Sequence, residues 1–430
     1  MKRNRPLRIA MYDPSGQGGI CHYTYQLAQN LGLTGSDVTL VTADNYELNH
    51  LPRSFKIIFL FKKSWIKRLM FGLNAPSDYR QRAFTQADKK IFALALLRDL
   101  RLRILWLKAA FLFLWTRPDL IHLQWSADRN QEHFFINLLK LLGFTIVYTV
   151  HDLLPLEADG HLDYDALDKT YRKVDALIVH SESNKKELVS AFDIDPNKIY
   201  VIPHGSNDLF FSDREIAKER AREELGLSRK NKVILFFGII KPYKGLEYSV
   251  EAFREVREQV DNVMLLIVGK IADREPEGFK YYSDLIARLS ACEDVLCVED
   301  YVSLEKIALY FAASDVVALP YVKNYTSGVL LSAYAAGRPV VVTDTGGLKE
   351  GVQIGKTGFV VPPKDTKALA RAIIETIESS ERCDEMGRYA KLFAEKNYSW
   401  SSVASKTMDL YRQLALEAVV ADTASQVIAK

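Results

Sequence analysis

Residues 316–350, VVALPYVKNYTSGVLLSAYAAGRPVVVTDTGGLKE, decide the fold. An apolar strand over Val316–Leu319 leads into a polar loop that ends in Thr326-Ser327-Gly328. A helix follows over Val329–Ala336, then a Gly-Arg-Pro turn, a second apolar strand over Val340–Thr343 and a Gly346-Gly347 turn. Strand, loop, helix and strand in this order form a βαβ unit, with backbone N–H groups and a helix N-terminus converging where the loop ends. That point suits an anion. Ser327 and Gly328 are small enough for phosphates to approach the backbone, and the first helical turn supplies unpaired donors.

A second cationic loop lies upstream. After the apolar run Val233–Phe237 comes Gly238-Ile-Ile-Lys241-Pro-Tyr-Lys244-Gly245, followed by an amphipathic helix from Leu246 to about Val260. Two lysines in a glycine-bounded loop at the carboxyl end of a strand suit a diphosphate. Taken alone, they read equally well as solvated loop lysines.

Five segments in fixed order carry a resemblance: LFFGIIKPYKGLEYSVEAF, LLIVGK, YFAASDVVALPY, SGVLLSAYAAGRPVVVTDTGGLKE and TGFVVPPKD. Together they resemble the donor-binding half of the glycogen-synthase-like, GT4-type family of retaining glycosyltransferases, and a looser likeness extends over nearly the whole chain. The resemblance implies α/β architecture with two Rossmann-like, doubly wound parallel-sheet domains facing a cleft, known as GT-B. It implies an N-terminal acceptor-binding domain over 1–205, a C-terminal donor-binding domain over 206–399, and a terminal helix over 400–420 returning to the first domain. VIPHG, ending at Gly205, resembles the family's last strand and turn before the second domain.

The implied chemistry is transfer of a sugar, with retention, from a nucleotide sugar, UDP- or GDP-linked, to a saccharide or lipid-linked saccharide. No cofactor and no metal are implied. Lys241 and Lys244 are the expected cations on the leaving diphosphate. Gly238, Thr326, Ser327, Gly328, Val329 and Ser332 are the other expected donor contacts, with Val302 beside the base. Many family members carry two glutamates around this phosphate loop, and Asn324 and Ser332 stand in their places. Ile239 replaces the usual arginine of the first loop. Glu350, after the glycine turn, is the acid available to assist.

At the N-terminus a strand over Leu7–Tyr12 enters Pro14-Ser-Gly16-Gln-Gly18-Gly19 and the helix Ile20–Leu31. With the strand Val38–Thr42 ending at Asp44, this also describes half of a dinucleotide fingerprint, but Cys21 occupies the place of the third glycine. A purely structural tight turn is the plain alternative. By resemblance Gly18 and Gly19 face the donor phosphates.

The strand Ile146–Val150 delivers His151-Asp152 at its carboxyl end, where open α/β sheets place reactive groups. By resemblance His151 contacts the transferred sugar, with Asp152 orienting it. His122 receives no role. Asp163-Tyr-Asp165 and Asp193-Ile-Asp195 read as turn acids rather than metal ligands, because neither pair follows an apolar strand. Ser181 and Ser303 suit helix N-caps.

Residues 53–117 hold fifteen Lys/Arg against three acids, a net of +12, although the whole chain carries only +3. Phe61 to Phe71 interleaves cations with Trp65, Met70 and Phe71. The spacing predicts a long helix over Asp88–Trp115, with Ala93, Leu97, Leu100, Ile104, Leu107, Phe111 and Leu114 on one stripe. Arg98, Arg101, Arg103 and Lys108 fall elsewhere on the wheel. Either the stripe is core and the cations are a solvated face, or the surface meets anionic headgroups or a lipid-phosphate acceptor. Nothing resembles a nucleic-acid-binding motif.

The 430-residue length exceeds one ordinary core, and 48% hydrophobic with 26% charged residues is a globular balance. Cys21, Cys292, Cys297 and Cys383 form no CxxC pair, which fits free thiols in a reducing cytoplasm. No run reaches 18 apolar residues. The expected product is a cytoplasmic or peripherally membrane-bound enzyme of polysaccharide or glycolipid synthesis. The alternatives are a nucleotide-sugar epimerase of the same architecture and an inactive nucleotide-sugar-binding module.

Overall fold

The computed structural model describes residues 5–62, 86–125, 128, 131–154, 164–207, 209, 211, 216–272, 275–300 and 302–428. Two compact units emerge. One comprises Met1–Pro155, Asp159–Pro203 and Trp400–Lys430, and the other His204–Ser399.

In the first unit β1 (Arg8–Tyr12), β2 (Asp37–Ala43), β3 (Lys56–Phe61), β4 (Leu120–Leu123), β5 (Ile146–Thr149), β6 (Ala176–Val179) and β7 (Ile199–Val201) form a parallel sheet of order β3-β2-β1-β4-β5-β6-β7. The central strands read as unbroken apolar runs because helices cover both faces. β3 was not expected from the sequence. Its KIIFLF run is strand-forming, but it lies inside the basic stretch 53–117, which is read for its charge excess.

The second unit holds β8 (Lys232–Phe237), β9 (Val263–Val268), β10 (Val295–Val298), β11 (Val316–Leu319), β12 (Val340–Thr343) and β13 (Gly358–Val361) in the order β10-β9-β8-β11-β12-β13, again parallel. Alternation along β8 feeds two cores. Ile234 and Phe236 pack with the helices Leu246–Arg257, Pro276–Leu289 and Thr366–Ile377. Val233 and Leu235 pack with Leu304–Ala313, Gly328–Ala335 and Ser380–Asn397. The chain is therefore α/β, with two doubly wound parallel sheets. In each sheet the strand order reverses beside the first strand, between β1 and β4 and between β8 and β11. Loops leaving the carboxyl ends diverge at such a point and leave a crevice.

The long basic-segment helix spans Gln86–Thr116, and of the two readings of its Leu97–Leu114 stripe it excludes the one in which that stripe is core. Its core stripe is Leu102, Leu105, Trp106, Ala109, Ala110 and Phe113, all buried. Leu97, Leu100, Ile104, Leu107, Phe111 and Leu114 are exposed instead. Both stripes have helical spacing, and the burial of Trp106 is fixed by stacking on Phe135 at 5.8 Å between ring centres. The interleaved residues Trp65, Met70 and Phe71, the side chain of Ala93, and Asp163 lie outside the described residues.

Two capping expectations diverge. Ser181 accepts from the Asn184 N–H as expected. Ser303 stands at its N-cap position with extended backbone but makes no capping hydrogen bond; it is exposed, where solvent competes for the hydroxyl. The C-terminal helix runs over Trp400–Ile428 and lies against Gly19–Leu33, with Trp400 5.2 Å from the Tyr23 ring centre. Among the described residues no helix is long and apolar enough to cross a membrane.

Candidate functional site

In the second unit the residues after β8 and those after β11 come together at the strand-order reversal. The Val322 N–H donates to the Tyr243 carbonyl at 2.8 Å, binding one loop to the other. Gly238 has φ +117, and a Cβ there would lie 3.7 Å from Cγ2 of Val329, so the first loop's glycine adjoins the first turn of the Gly328–Ala335 helix. A short 3-10 turn over Pro242–Lys244 ends at Gly245, which has φ +68 and whose missing side chain makes room for the Pro320 carbonyl. Glycine is required there on both counts.

This turn lays the Lys244 ammonium on the Tyr321 ring, 3.8 Å from its centre. Lys241, directly before this turn, is half-buried, and Ile239 is 50% exposed. Ser327 caps the helix by accepting from the Leu330 N–H at 3.4 Å. The earlier N–H groups of a first turn have no intrahelical acceptor and present partial positive charge. Thr326, Gly328 and Val329 are half-buried around that turn.

Ser332 sits one turn into the helix and is buried. Its hydroxyl donates to the Gly328 carbonyl at 3.0 Å and accepts from the Asn207 amide at 2.8 Å. Asn207 Nδ2 also reaches the Gly328 carbonyl at 2.8 Å. Sequence reading missed Asn207, whose only signal was its place just after the VIPHG turn. Asn324 is buried, and among the described residues its Nδ2 has no hydrogen-bond partner. The Gly346 turn closes on the Asn324 carbonyl, since a Cβ at Gly346 would overlap it. Glu350 is exposed on the 3-10 turn Lys349–Gly351 after β12, and Val302 is half-buried after β10.

In the first unit Asp13, directly after β1, is fully buried and accepts from the backbone and hydroxyl of Ser15. Burial pushes its carboxyl above the ordinary range, with the Ser15 hydrogen bonds opposing the shift. Gly18 has φ +82, and its N–H donates to Glu47 at 2.8 Å. The same carboxylate oxygen meets His22 Nε2 at 2.5 Å. A Cβ on Gly18 or Gly19 would meet nothing within 4 Å, so the space over this helix start is open.

His151 follows β5 and is half-buried. Its ring stands edge-on to Tyr23 at 4.8 Å, with Nδ1 3.4 Å from His180 Nε2 and Nε2 3.4 Å from Gln124 Oε1. His180 Nδ1 faces the Ile202 carbonyl at 3.0 Å and must carry a proton to donate there. Sequence reading assigned no role to His180 or Gln124, which β6 and β4 bring in from distant positions. His122 is a core histidine: it meets Tyr411 OH at 2.5 Å and Thr149 Oγ1 at 2.7 Å, and burial lowers its pKa to about 3. Of the acids considered as metal ligands, Asp193 pairs with Arg172 at 3.1 Å and Asp195 caps Asn197.

Comparison with known proteins bears on what such a site does. The model described as Glycosyltransferase Family 4 matches residues 17–208, and that described as Glycosyl transferases group 1 matches residues 217–393. D-inositol 3-phosphate glycosyltransferase of Corynebacterium urealyticum is 31% identical over 67% of this chain and 72% of its own. Among solved structures, sucrose-phosphate synthase from Thermosynechococcus elongatus has a TM-score of 0.70 at 21% identity, covering 96% of this chain and 99% of its own. Anabaena HepE in complex with UDP-glucose has a TM-score of 0.70 at 19% identity, covering 94% and 99%. At these identities the structures establish the fold, and the sequence matches establish descent: the chain is a glycosyltransferase and belongs to the glycogen-synthase-like, GT4-type family with the GT-B fold.

Proposed function

We propose that the enzyme moves a sugar, with retention, from a nucleotide diphosphate sugar to a hydroxyl of a saccharide or lipid-linked saccharide. The observation that carries this reading is the junction of the two loops at the β8–β11 reversal: Gly238 against Val329, and Lys244 anchored on Tyr321. A glycine-bounded cationic loop beside a helix N-terminus is complementary to a diphosphate. The HepE complex supports UDP as one donor class, and the Corynebacterium relative supports a polyol or saccharide hydroxyl as acceptor.

In the proposed step the bond from the anomeric carbon to the phosphate oxygen breaks as a bond to the acceptor oxygen forms on the same face. The acceptor's proton passes to the leaving phosphate oxygen. Lys241, Lys244 and the N–H groups near Ser327–Val329 stabilise charge where it grows, which is the largest lever available to a preorganised site. Gly238, Thr326, Gly328 and Ser332 shape the phosphate seat, Val302 lies beside the base, and Glu350 serves the sugar or ribose hydroxyls. From the first unit Gly18 and Gly19 are assigned to the phosphates and His151 to the transferred sugar. This assignment uses no metal ligand from the chain.

A second reading has its own observation. Ser332 spends its hydroxyl on Asn207 and Gly328, and Asn324 carries no charge, so an inactive nucleotide-sugar-binding module is the competitor. Thermal stabilisation by UDP, GDP and ADP, with and without their sugar conjugates, tests the donor seat. A shift of several degrees with one nucleotide, lost in Lys244→Ala, is expected. No shift with any of them would overturn the seat, and stabilisation without donor hydrolysis or transfer would favour the inactive module.

A further inference from the structure

The Gln86–Thr116 helix is apolar on two faces, and only one of them is used by the fold. Leu107, Phe111 and Trp115 are 58%, 68% and 79% exposed, on the side away from Trp106 and Phe113. Leu141 at the end of the helix Glu132–Leu141 is 84% exposed, and Phe134 and Phe59 of β3 are about half exposed. Leu60, Leu138 and Leu142 join Ile104, Leu107 and Phe111 around an open apolar groove of about 880 Å³. Three elements thus contribute to one uncovered surface. Scattered exposed leucines need no explanation, but a continuous patch with a groove marks an interaction site.

Charge identifies the occupant. Arg101, Arg103, Lys108 and Arg117 are exposed on the same helix and at its end, and Arg103 lies 5.2 Å from the centre of the Phe134 ring. From Leu97 to Arg117 the one acid is Asp99, which pairs with Arg98 at 3.1 Å. Apolar residues flanked by arginine and lysine, whose long stems extend past them, match the boundary between acyl chains and anionic headgroups. Each cation near such a surface adds attraction that falls off within a Debye length. A second copy of the chain fits poorly, because a twofold contact through this patch brings two surfaces of the same positive charge together.

We propose that this face of the first unit docks on an anionic phospholipid bilayer, with Leu107, Phe111 and Trp115 entering the acyl boundary and Arg101, Arg103, Lys108 and Arg117 meeting headgroup phosphates. The proposal is independent of the donor chemistry.

Flotation with vesicles of phosphatidylglycerol and phosphatidylcholine, against phosphatidylcholine alone, tests it. The wild type is expected to float with the anionic vesicles and to bind the neutral ones about tenfold more weakly. Raising salt from about 50 to about 500 mM should weaken binding to the anionic vesicles severalfold. The double variant Phe111→Glu/Trp115→Glu should lose flotation, while Phe111→Leu/Trp115→Phe should retain it. An unchanged melting temperature in both variants assigns the loss to the surface rather than to misfolding. Failure of the wild type to float, equal binding to neutral vesicles, or flotation of the Glu variant like the wild type would overturn the proposal. So would a dimer in sedimentation that the Glu substitutions disperse without any vesicle binding.

Discussion

The ammonium of Lys244 rests 3.8 Å from the centre of the Tyr321 ring, so a cation from the loop after β8 is held by an aromatic from the loop after β11. The contact fixes a flexible side chain at the crevice and keeps its charge available, because the ring supplies no proton acceptor. Lys244→Ala should lower kcat/KM for transfer by about 10- to 1000-fold if the charge stabilises the leaving diphosphate. Steady-state kinetics at saturating acceptor checks this. A loss below about twofold would remove Lys244 from the chemistry.

Gly245 and Gly19 should respond oppositely to the same substitution. Gly245→Ala places a Cβ against the Pro320 carbonyl at φ +68, so the soluble yield or the melting temperature should fall, by several degrees or more. Gly19 opens a helix, and a Cβ there meets nothing within 4 Å. Gly19→Ala should therefore melt like the wild type while nucleotide-sugar affinity falls, by about tenfold, if phosphate approaches this backbone. Equal affinity in Gly19→Ala, measured by calorimetry, would leave the glycine pair as a turn only.

Asn207 ties the segment after β7 to the phosphate-loop helix through two hydrogen bonds of 2.8 Å. Asn207→Ala deletes both in a buried place and should cost about 1–3 kcal/mol. Urea unfolding followed by far-UV circular dichroism reads the loss. Asn207→Asp tests the donor role specifically, since a carboxylate facing the Gly328 carbonyl repels it, and this variant should be less stable than Asn207→Ala.

His122 supplies a pH dependence with a definite sign. Burial, assisted by the nearby His180, lowers its pKa from 6.5 to about 3. Above pH 6.5 neither folded nor unfolded His122 binds a proton, and the group leaves stability unchanged. Between pH 6.5 and about 3 the unfolded chain binds a proton that the folded chain refuses, so stability falls with pH, by up to about 1.4 kcal/mol per unit. His122→Gln should lose stability at pH 7.5 through its disturbed contacts with Tyr411 and Thr149, yet the gap to wild type should narrow on acidification to pH 5. Parallel melting curves across that range would assign the acid sensitivity to other groups.

Much of the site was legible because its parts are local. Val233 to Gly245 and Val316 to Gly328 each bring strand, glycine and cation or cap within about a dozen residues, and strand-loop-helix order alone sends them to a carboxyl edge. Asn207 and the partners of His151 were not legible, since His180, Gln124 and Tyr23 meet His151 only once β1, β4, β5 and β6 are ordered side by side.

The sequence by itself determined two parallel α/β sheets, the phosphate-seat loops and the basic excess of residues 53–117, because periodicity, glycine placement and charge are properties of the chain. Only the tertiary structure decided which face of the Gln86–Thr116 helix is core. Leu102–Phe113 and Leu97–Leu114 both repeat at helical spacing, and a pattern with two apolar stripes contains no preference between them. The stacking of Trp106 on Phe135 and the packing of Phe113 against Phe144 commit one stripe to the interior, and that choice turns Leu107, Phe111 and Trp115 outward.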